Sequence, residues 1–180
     1  MTDGARPEIP NVLAQRYASG AMVDLWSPRR KVVLERQLWI AVMRAQRGLG
    51  IEIPEAAIAD YEAVIDDVDL ESIAARERIT RHDVKARIDE FCALAGHEHI
   101  HKGMTSRDLT ENVEQLQIRL SLLLVRDRMV TALVRLGQRS AEFATQPLTG
   151  RTHNVAAQTT TLGKRFANAG QELLVAFERV

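Results

Sequence analysis

From Ser106 the chain runs roughly forty residues without a proline, with one apolar seam along the run. Leu109, Val113, Leu116, Leu120, Leu123, Val130, Val134, Gly137 and Ala141 recur at helical spacing. A helix of that extent is roughly 55 Å long. It outruns a small domain and demands partner helices of similar length, in a bundle or across subunits. Gln146-Pro147-Leu148-Thr149-Gly150 breaks the run, and a second long helix is expected from near Asn154 to Val180. No glycine or proline closes that second pattern. Two such helices cannot bury both their faces alone. The chain therefore reads as the front part of a larger fold, or as one that depends on a partner.

The segments before Ser106 predict shorter helices. Strand signals are nearly absent and aromatics make up only 4% of residues. Ser27-Pro28 is a helix start, with Ser27 as N-cap and Pro28 at the first helical position. Leu34, Leu38, Ala41 and Ala45 then fall three or four apart, and Gly48 and Gly50 end that helix. Pro54 opens another, through about Ile65, and Asp69 caps a third, through about Arg78. Thr80 is the next N-cap candidate, with Asp83 in the first turn, where negative charge suits the helix dipole. Val84, Ile88 and Phe91 form a buried stripe, and Gly96 stops the helix. The fold class expected is all-α. A small N-terminal helical domain, residues 1–108, precedes the opening helices of a central bundle, residues 109–180.

Composition narrows the function classes. Lys plus Arg equals Asp plus Glu at 24 each, so the formal net charge is zero. A nucleic-acid binder needs excess basic charge for its phosphate contacts, so that class is disfavoured. The single cysteine, Cys92, excludes an internal disulfide framework and fits a reducing cytosol. Its apolar neighbours mark it as a core residue. The N-terminal run MTDGARPEIPNVLAQRY lacks the apolar stretch of a signal peptide, and Leu122 to Val125 is too short to span a bilayer. A cytoplasmic protein with no membrane contact is expected.

Four stretches carry possible chemistry. Gly96 to Gly103 reads GHEHIHKG, with His97, His99 and His101 at spacing two. On a strand the three imidazoles would share a face, as a catalytic zinc site requires. No strand partner is visible nearby, so a solvated loop with only His101 turned inward is the simpler reading. Thr105-Ser106 after Gly103 is either a plain helix cap or an anion site at a helix N-terminus, which the glycine lets a ligand approach. His82-Asp83 stands at a helix start, where the dipole favours neutral imidazole, although a lone histidine at a helix start is more often structural. Arg151-Thr152-His153-Asn154 joins a cation, a hydroxyl and a titratable ring on one turn. That set suits an anionic substrate whose leaving group needs a proton, though a capping turn explains it as well.

In order along the chain, Arg16-Tyr17-Ala18-Ser19, Thr80-Arg81-His82-Asp83-Val84, His101-x-Gly103-x-Thr105-Ser106, and Arg151-Thr152-His153 with Gln158-x-x-Thr161-x-Gly163-Lys164-Arg165 resemble the adenylosuccinate lyases. These belong to the fumarase/aspartase superfamily of fumarate-releasing lyases. The first two motifs favour that member over argininosuccinate lyase or fumarase. The resemblance implies a β-elimination without cofactor or metal, releasing fumarate from adenylosuccinate or from the succinyl imidazole-carboxamide ribotide of purine biosynthesis. It implies that His153 is the acid for the departing nitrogen and that His82 assists it. Arg16 and Tyr17 would contact the nucleotide end, with Arg81 beside them in the substrate-binding set. His101 would contact the phosphate, Thr105 and Ser106 a succinyl carboxylate, and Asp83 and Thr152 would line the same site. Lys164 reads first as a helix-surface or packing lysine.

The family builds its site from three subunits of a homotetramer through long helices, and takes its base from a Ser-Ser-x-Met-Pro-x-Lys-x-Asn loop. No such pattern occurs here. The segment alone is therefore expected to be inactive. The competing reading is a non-catalytic helical scaffold that associates through the Leu109 to Ala141 seam.

Overall fold

A computed structural model describes residues 11–180. The N-terminal segment read above for a targeting signal lies partly outside these. The described chain runs α1 (Val12–Tyr17), α2 (Gly20–Trp26), α3 (Pro28–Gly48), α4 (Glu55–Ala63), α5 (Leu70–Thr80), α6 (Asp83–Ala95), α7 (Ser106–Glu142), β1 (Pro147–Thr152), β2 (Val155–Thr161) and α8 (Leu162–Phe177). Helices dominate, as the spacing of apolar residues predicts. At 37 residues, α7 is about 55 Å long. Among the described residues no helix is long and apolar enough to cross a membrane. The chain divides into two units, one ending at Arg119 and one running Leu120–Val180.

The first unit packs α3, α4, α6 and the start of α7 around Trp39, Ile40, Met43, Ile58, Tyr61, Val84, Phe91, Ile100 and Leu109. Trp39 and Phe91 stack at 6.2 Å, and Tyr61 meets Phe91 edge-on at 4.8 Å. Each such pair adds about 1 kcal/mol beyond its buried area. Helix starts follow the expected chemistry at Ser27, whose hydroxyl accepts from Arg30 N, and at Asp69, which accepts from Ser72 N. Gly96 ends α6 in the left-handed conformation that glycine adopts without strain.

The inward face of α3 differs from the expected one. Leu34 is buried and Leu38 partly so, but Ala41 and Ala45 are exposed. Arg36, Trp39, Ile40 and Met43 point inward instead. Arg36 is buried because its charge is matched. One terminal nitrogen bonds both Glu90 oxygens at 2.6 and 2.8 Å, the other caps the exit of α4 at Val64 O and Ile65 O, and the guanidinium lies 4.5 Å from the Phe91 ring centre. Large side chains and a satisfied ion pair outcompete small alanines for the interior. The expected cap at Thr80 also moves. Thr80 ends α5, Arg81 turns left-handed at φ 55, and His82 caps α6.

The second unit corrects the expected helix from Asn154. Residues 147–161 form an antiparallel hairpin, with Pro147 opposite Thr161 and Thr152 opposite Val155. Its tip is His153-Asn154, at φ 49 and 62, the pair of positive angles a two-residue hairpin turn demands. Thr159, Thr160 and Thr161 are β-branched and favour extended backbone. The register slips between Gly150 and Arg151. There a Cβ on Gly150 would stand 3.1 Å from Gln158 O. Helix α8 begins only at Leu162, capped by Thr161, whose hydroxyl accepts from Lys164 N. It packs against the end of α7 through Phe143 and Phe166, 5.9 Å apart. Leu122, Val130, Val134, Leu174 and Val175 remain 40% exposed or more, so much of the long apolar seam is uncovered in this chain.

Candidate active site

Three chain breaks of the first unit meet: the α5–α6 junction, the loop 96–105, and the start of α7. At the junction Thr80 Oγ1 donates to His82 O at 3.1 Å, which holds the backbone in a tight turn. His82 then caps α6 with its ring, as Nδ1 accepts from Lys85 N at 3.3 Å. An acceptor nitrogen carries no proton, so this bond assigns the neutral ring its hydrogen on Nε2. That Nε2 lies 3.5 Å from Ser106 Oγ, on the first residue of α7. Two helix starts separated by 24 positions thus bring an imidazole and a hydroxyl together.

Asp83 follows His82, its Oδ1 3.5 Å from His82 Nδ1 and its Oδ2 bonded by Arg87 at 2.9 Å. Partial burial pushes its carboxyl up, but the Arg87 hydrogen bond, the Val84 amide and the Arg87 and His82 charges together hold it below its ordinary value. Arg87 also reaches inward, with Nε 2.6 Å from Oε2 of the fully buried Glu35. The sequence reading missed Arg87 and Glu35. In sequence both read as solvent-facing charges, and their pairing shows only once α3 and α6 are packed together.

The histidine loop gives its three rings different partners. His97 pairs with Asp60 at 2.8 Å. His99 lies 6.0 Å from the His97 ring, and its pKa is lowered, chiefly by desolvation and then by Lys102. His101 turns the other way, accepting from buried Trp39 Nε1 at 3.1 Å. Burial pushes the His101 ring below the usual histidine range, opposed by the Asp108 carboxylate and aided by His82. The three imidazoles do not converge, and no group of three or more metal-ligating residues forms among the described residues.

Thr105 serves first as the cap of α7. Its Oγ1 accepts from Arg107 N at 3.3 Å, and its own N–H donates to Asp108 Oδ2 at 2.8 Å, a reciprocal capping box. Ser106 Oγ is left to face His82. Arg16 and Tyr17 close α1 with exposed side chains. Arg81 lines a surface depression with Ala74, Glu77 and Arg78. In the second unit Thr152 ends β1 and His153 leads the hairpin turn, both exposed. Arg151 braces that turn by donating to Asn154 O at 3.1 Å. His153 therefore stands on a turn between strands and not at a helix start as expected. Lys164 lies in the first turn of α8 and is exposed.

Comparison with known proteins identifies the family. The profile of the lyase family matches residues 18–180. The adenylosuccinate lyase of Schistosoma mansoni is 34% identical over 176 residues, 96% of this chain and 36% of that protein. That of Schizosaccharomyces pombe is 36% identical over 167 residues, 90% of this chain and 35% of that protein. The crystal structure of a fumarate lyase from Mesorhizobium sp. BNC1 superposes with a TM-score of 0.76 at 26% identity, over 88% of this chain and 38% of that one. The chain thus spans little more than a third of the length of these relatives. With a match that takes in His82, Ser106 and His153 alike, the chain belongs to the lyase family.

Proposed function

We propose that this chain supplies the front part of an adenylosuccinate lyase. The observation that carries the proposal is the meeting of His82 Nε2 and Ser106 Oγ at 3.5 Å, beside His101, in a chain a third identical to proteins of that name. In the reaction a base removes a proton from the β-carbon of the succinyl group and the C–N bond breaks. An acid protonates the departing nitrogen, leaving AMP and fumarate, or the carboxamide ribotide and fumarate. Imidazole titrates near neutrality and can give up that proton at working pH. His153, on its exposed turn, is the acid. His82, its Nδ1 occupied by Lys85 N–H, offers Nε2–H toward substrate.

Ser106 and the α7 start receive a succinyl carboxylate, and His101 receives the phosphate. Arg16 and Tyr17 contact the nucleotide, and Arg81, Asp83 and Thr152 complete the lining. Thr105 contributes mainly through the backbone it caps, because its hydroxyl and amide are already bonded. The carbanion-like intermediate needs donors around its carboxylate, and Ser106 supplies one. The exposed seam on α7 and α8 supports assembly into a homotetramer. The enzyme would act in the cytoplasm, in purine biosynthesis, and this segment alone would not turn over.

The test uses the full-length protein containing this segment. His153→Gln is expected to lower kcat for fumarate release from adenylosuccinate by about 10²- to 10⁴-fold at unchanged melting temperature. Undiminished turnover removes the acid role. Release of fumarate from argininosuccinate and not from adenylosuccinate would reassign the substrate. A scaffold without activity would show neither turnover nor a shift in melting temperature with AMP.

A further inference from the structure

Among the polar contacts of the first unit, one joins a fully buried core residue to a ring of the candidate site. Trp39, on α3 and inaccessible to solvent, directs its indole N–H at Nδ1 of His101, 62 positions away, at 3.1 Å. The two rings meet edge-on, 6.0 Å apart at 86°. Indole nitrogen is a donor only, so His101 Nδ1 must be the acceptor and cannot hold a proton while the contact lasts. A buried tryptophan N–H also needs a partner, and leaving it without one costs free energy.

The loop is shaped around this contact. His101 takes φ 63, a left-handed conformation that side-chain-bearing residues rarely adopt and that costs about 1–3 kcal/mol. Gly103 follows at φ 72, and Gln46 of α3 clamps the turn by donating to Lys102 O at 2.8 Å. Phe91 stacks on the indole at 6.2 Å between ring centres. The backbone of the loop is thus strained in the one place that delivers Nδ1 to the indole.

We propose that Trp39 is a positioning residue that locks His101 in the neutral Nε2–H tautomer, so that the site presents a fixed uncharged donor and not an imidazolium. The lock concerns the ring itself. Its use as a donor to an anionic oxygen of the ligand rests on the functional reading above. The charged and titratable groups acting on His101 are Asp108 from α7, which favours protonation, and His82 from the start of α6, which opposes it. Neither reaches Nδ1, which Trp39 occupies. A neutral donor attracts an anion less strongly than a cation does, but it holds one orientation across the pH range in which free histidine would titrate.

The experiment is imidazole nitrogen NMR on the ¹⁵N-labelled chain, with ring pairs resolved by multiple-bond correlation. His101 is expected as the Nε2–H tautomer, with Nδ1 in the unprotonated range and the Trp39 indole proton slow to exchange. In Trp39→Phe the ring should populate both tautomers, and its titration midpoint should rise by about half to one pH unit. If that variant does not fold, β-(3-benzothienyl)alanine at position 39 keeps the indole shape and removes only the N–H. A Nδ1–H tautomer in the parent overturns the proposal, as does an unchanged tautomer and midpoint once the N–H is gone. In the full-length enzyme the same change should raise KM several-fold above the midpoint, where the unlocked neutral ring divides between tautomers, and less below it, where the imidazolium regains an Nε2 donor, with kcat changed less. An unchanged KM beside a confirmed lock overturns the donor role alone. The identity of the reaction is decided separately by His153→Gln.

Discussion

Replacing Glu35 by Gln should flatten the dependence of stability on pH between about 5 and 7.5. Glu35 is inaccessible to solvent on α3, and neither carboxyl oxygen has an aligned hydrogen bond, although Arg87 Nε stands 2.6 Å away. Burial raises its pKa from 4.5 to about 7, against the lowering pull of Arg87 and Lys31 and with Asp83 adding to the rise. A carboxyl with a raised folded-state pKa binds its proton more tightly when folded. The stability it contributes is complete below about pH 4.5 and is lost as pH climbs through about 7. Each unit of that interval is worth about 1.4 kcal/mol, so the whole shift amounts to roughly 3 kcal/mol. Gln has the same shape and does not titrate. Urea melts followed by helical circular dichroism at pH 5, 6, 7 and 7.5 give both curves. Subtracting one from the other removes every group the two proteins share. The difference should change by roughly 2 kcal/mol from pH 5 to 7.5, the rest of the shift falling below pH 5, with the parent losing ground at the alkaline end. Parallel curves would refute the raised pKa, and with it the idea that the Arg87 contact fails to compensate burial. A fixed offset added to that pH-dependent difference, from loss of the Arg87 partner, would not.

Two further substitutions probe the framework that carries the site. Tyr61 donates to His97 O at 2.6 Å and accepts from His99 N at 3.3 Å, so Tyr61→Phe leaves both ends of the histidine loop short of a partner. It should cost about 1–3 kcal/mol in urea-derived stability, and an unchanged midpoint would show that the loop is held elsewhere. A Cβ on Gly163 would stand 2.4 Å from Ser140 O and 2.8 Å from Ala144 N and Cα, all backbone atoms that cannot rotate aside. Gly163→Ala should therefore lower stability by about 2 kcal/mol or more despite alanine's better helix propensity, and a gain in melting temperature would contradict that close approach.

What the sequence made legible is what local chemistry dictates. Ser27-Pro28, Asp69, Gly96 and the proline-free run from Ser106 each settle a boundary through groups a few residues apart. The hairpin escaped because Ala156, Ala157 and the residues beyond sustain a helical period, while the signal against it was brief. Asn154 at the turn and three successive threonines outweigh that period only once β1 is present to pair with them. The inner face of α3 escaped for another reason. Arg36 and Glu35 read as solvent-facing until Glu90 and Arg87, more than fifty positions later, arrive as partners. The site divides the same way. His82, His101 and Ser106 were visible as residue types at breaks, whereas the hold of Trp39 on His101 depends on tertiary distance.

That division also bears on how the α7 start would treat an anion. Helix N-termini attract negative charge through free amides and the dipole, but here Asp108 already supplies a carboxylate to the first turn and engages Thr105 N–H. Thr105 Oγ1 takes Arg107 N–H as well. Two of the donors that a bare helix end would offer are thus committed, and a ligand carboxylate would meet a resident like charge. Attraction at this place must then come from side-chain donors aimed across the junction. Those are Ser106 Oγ and the imidazole of His82, whose Nδ1 is turned to its own helix. Such donors select by direction more than by charge, since uncharged groups lose little when salt screens the field. A site of this construction should discriminate carboxylate geometry sharply while depending only weakly on ionic strength. A salt series of KM in the full-length enzyme separates this from a dipole-driven site, whose KM would climb steeply with salt.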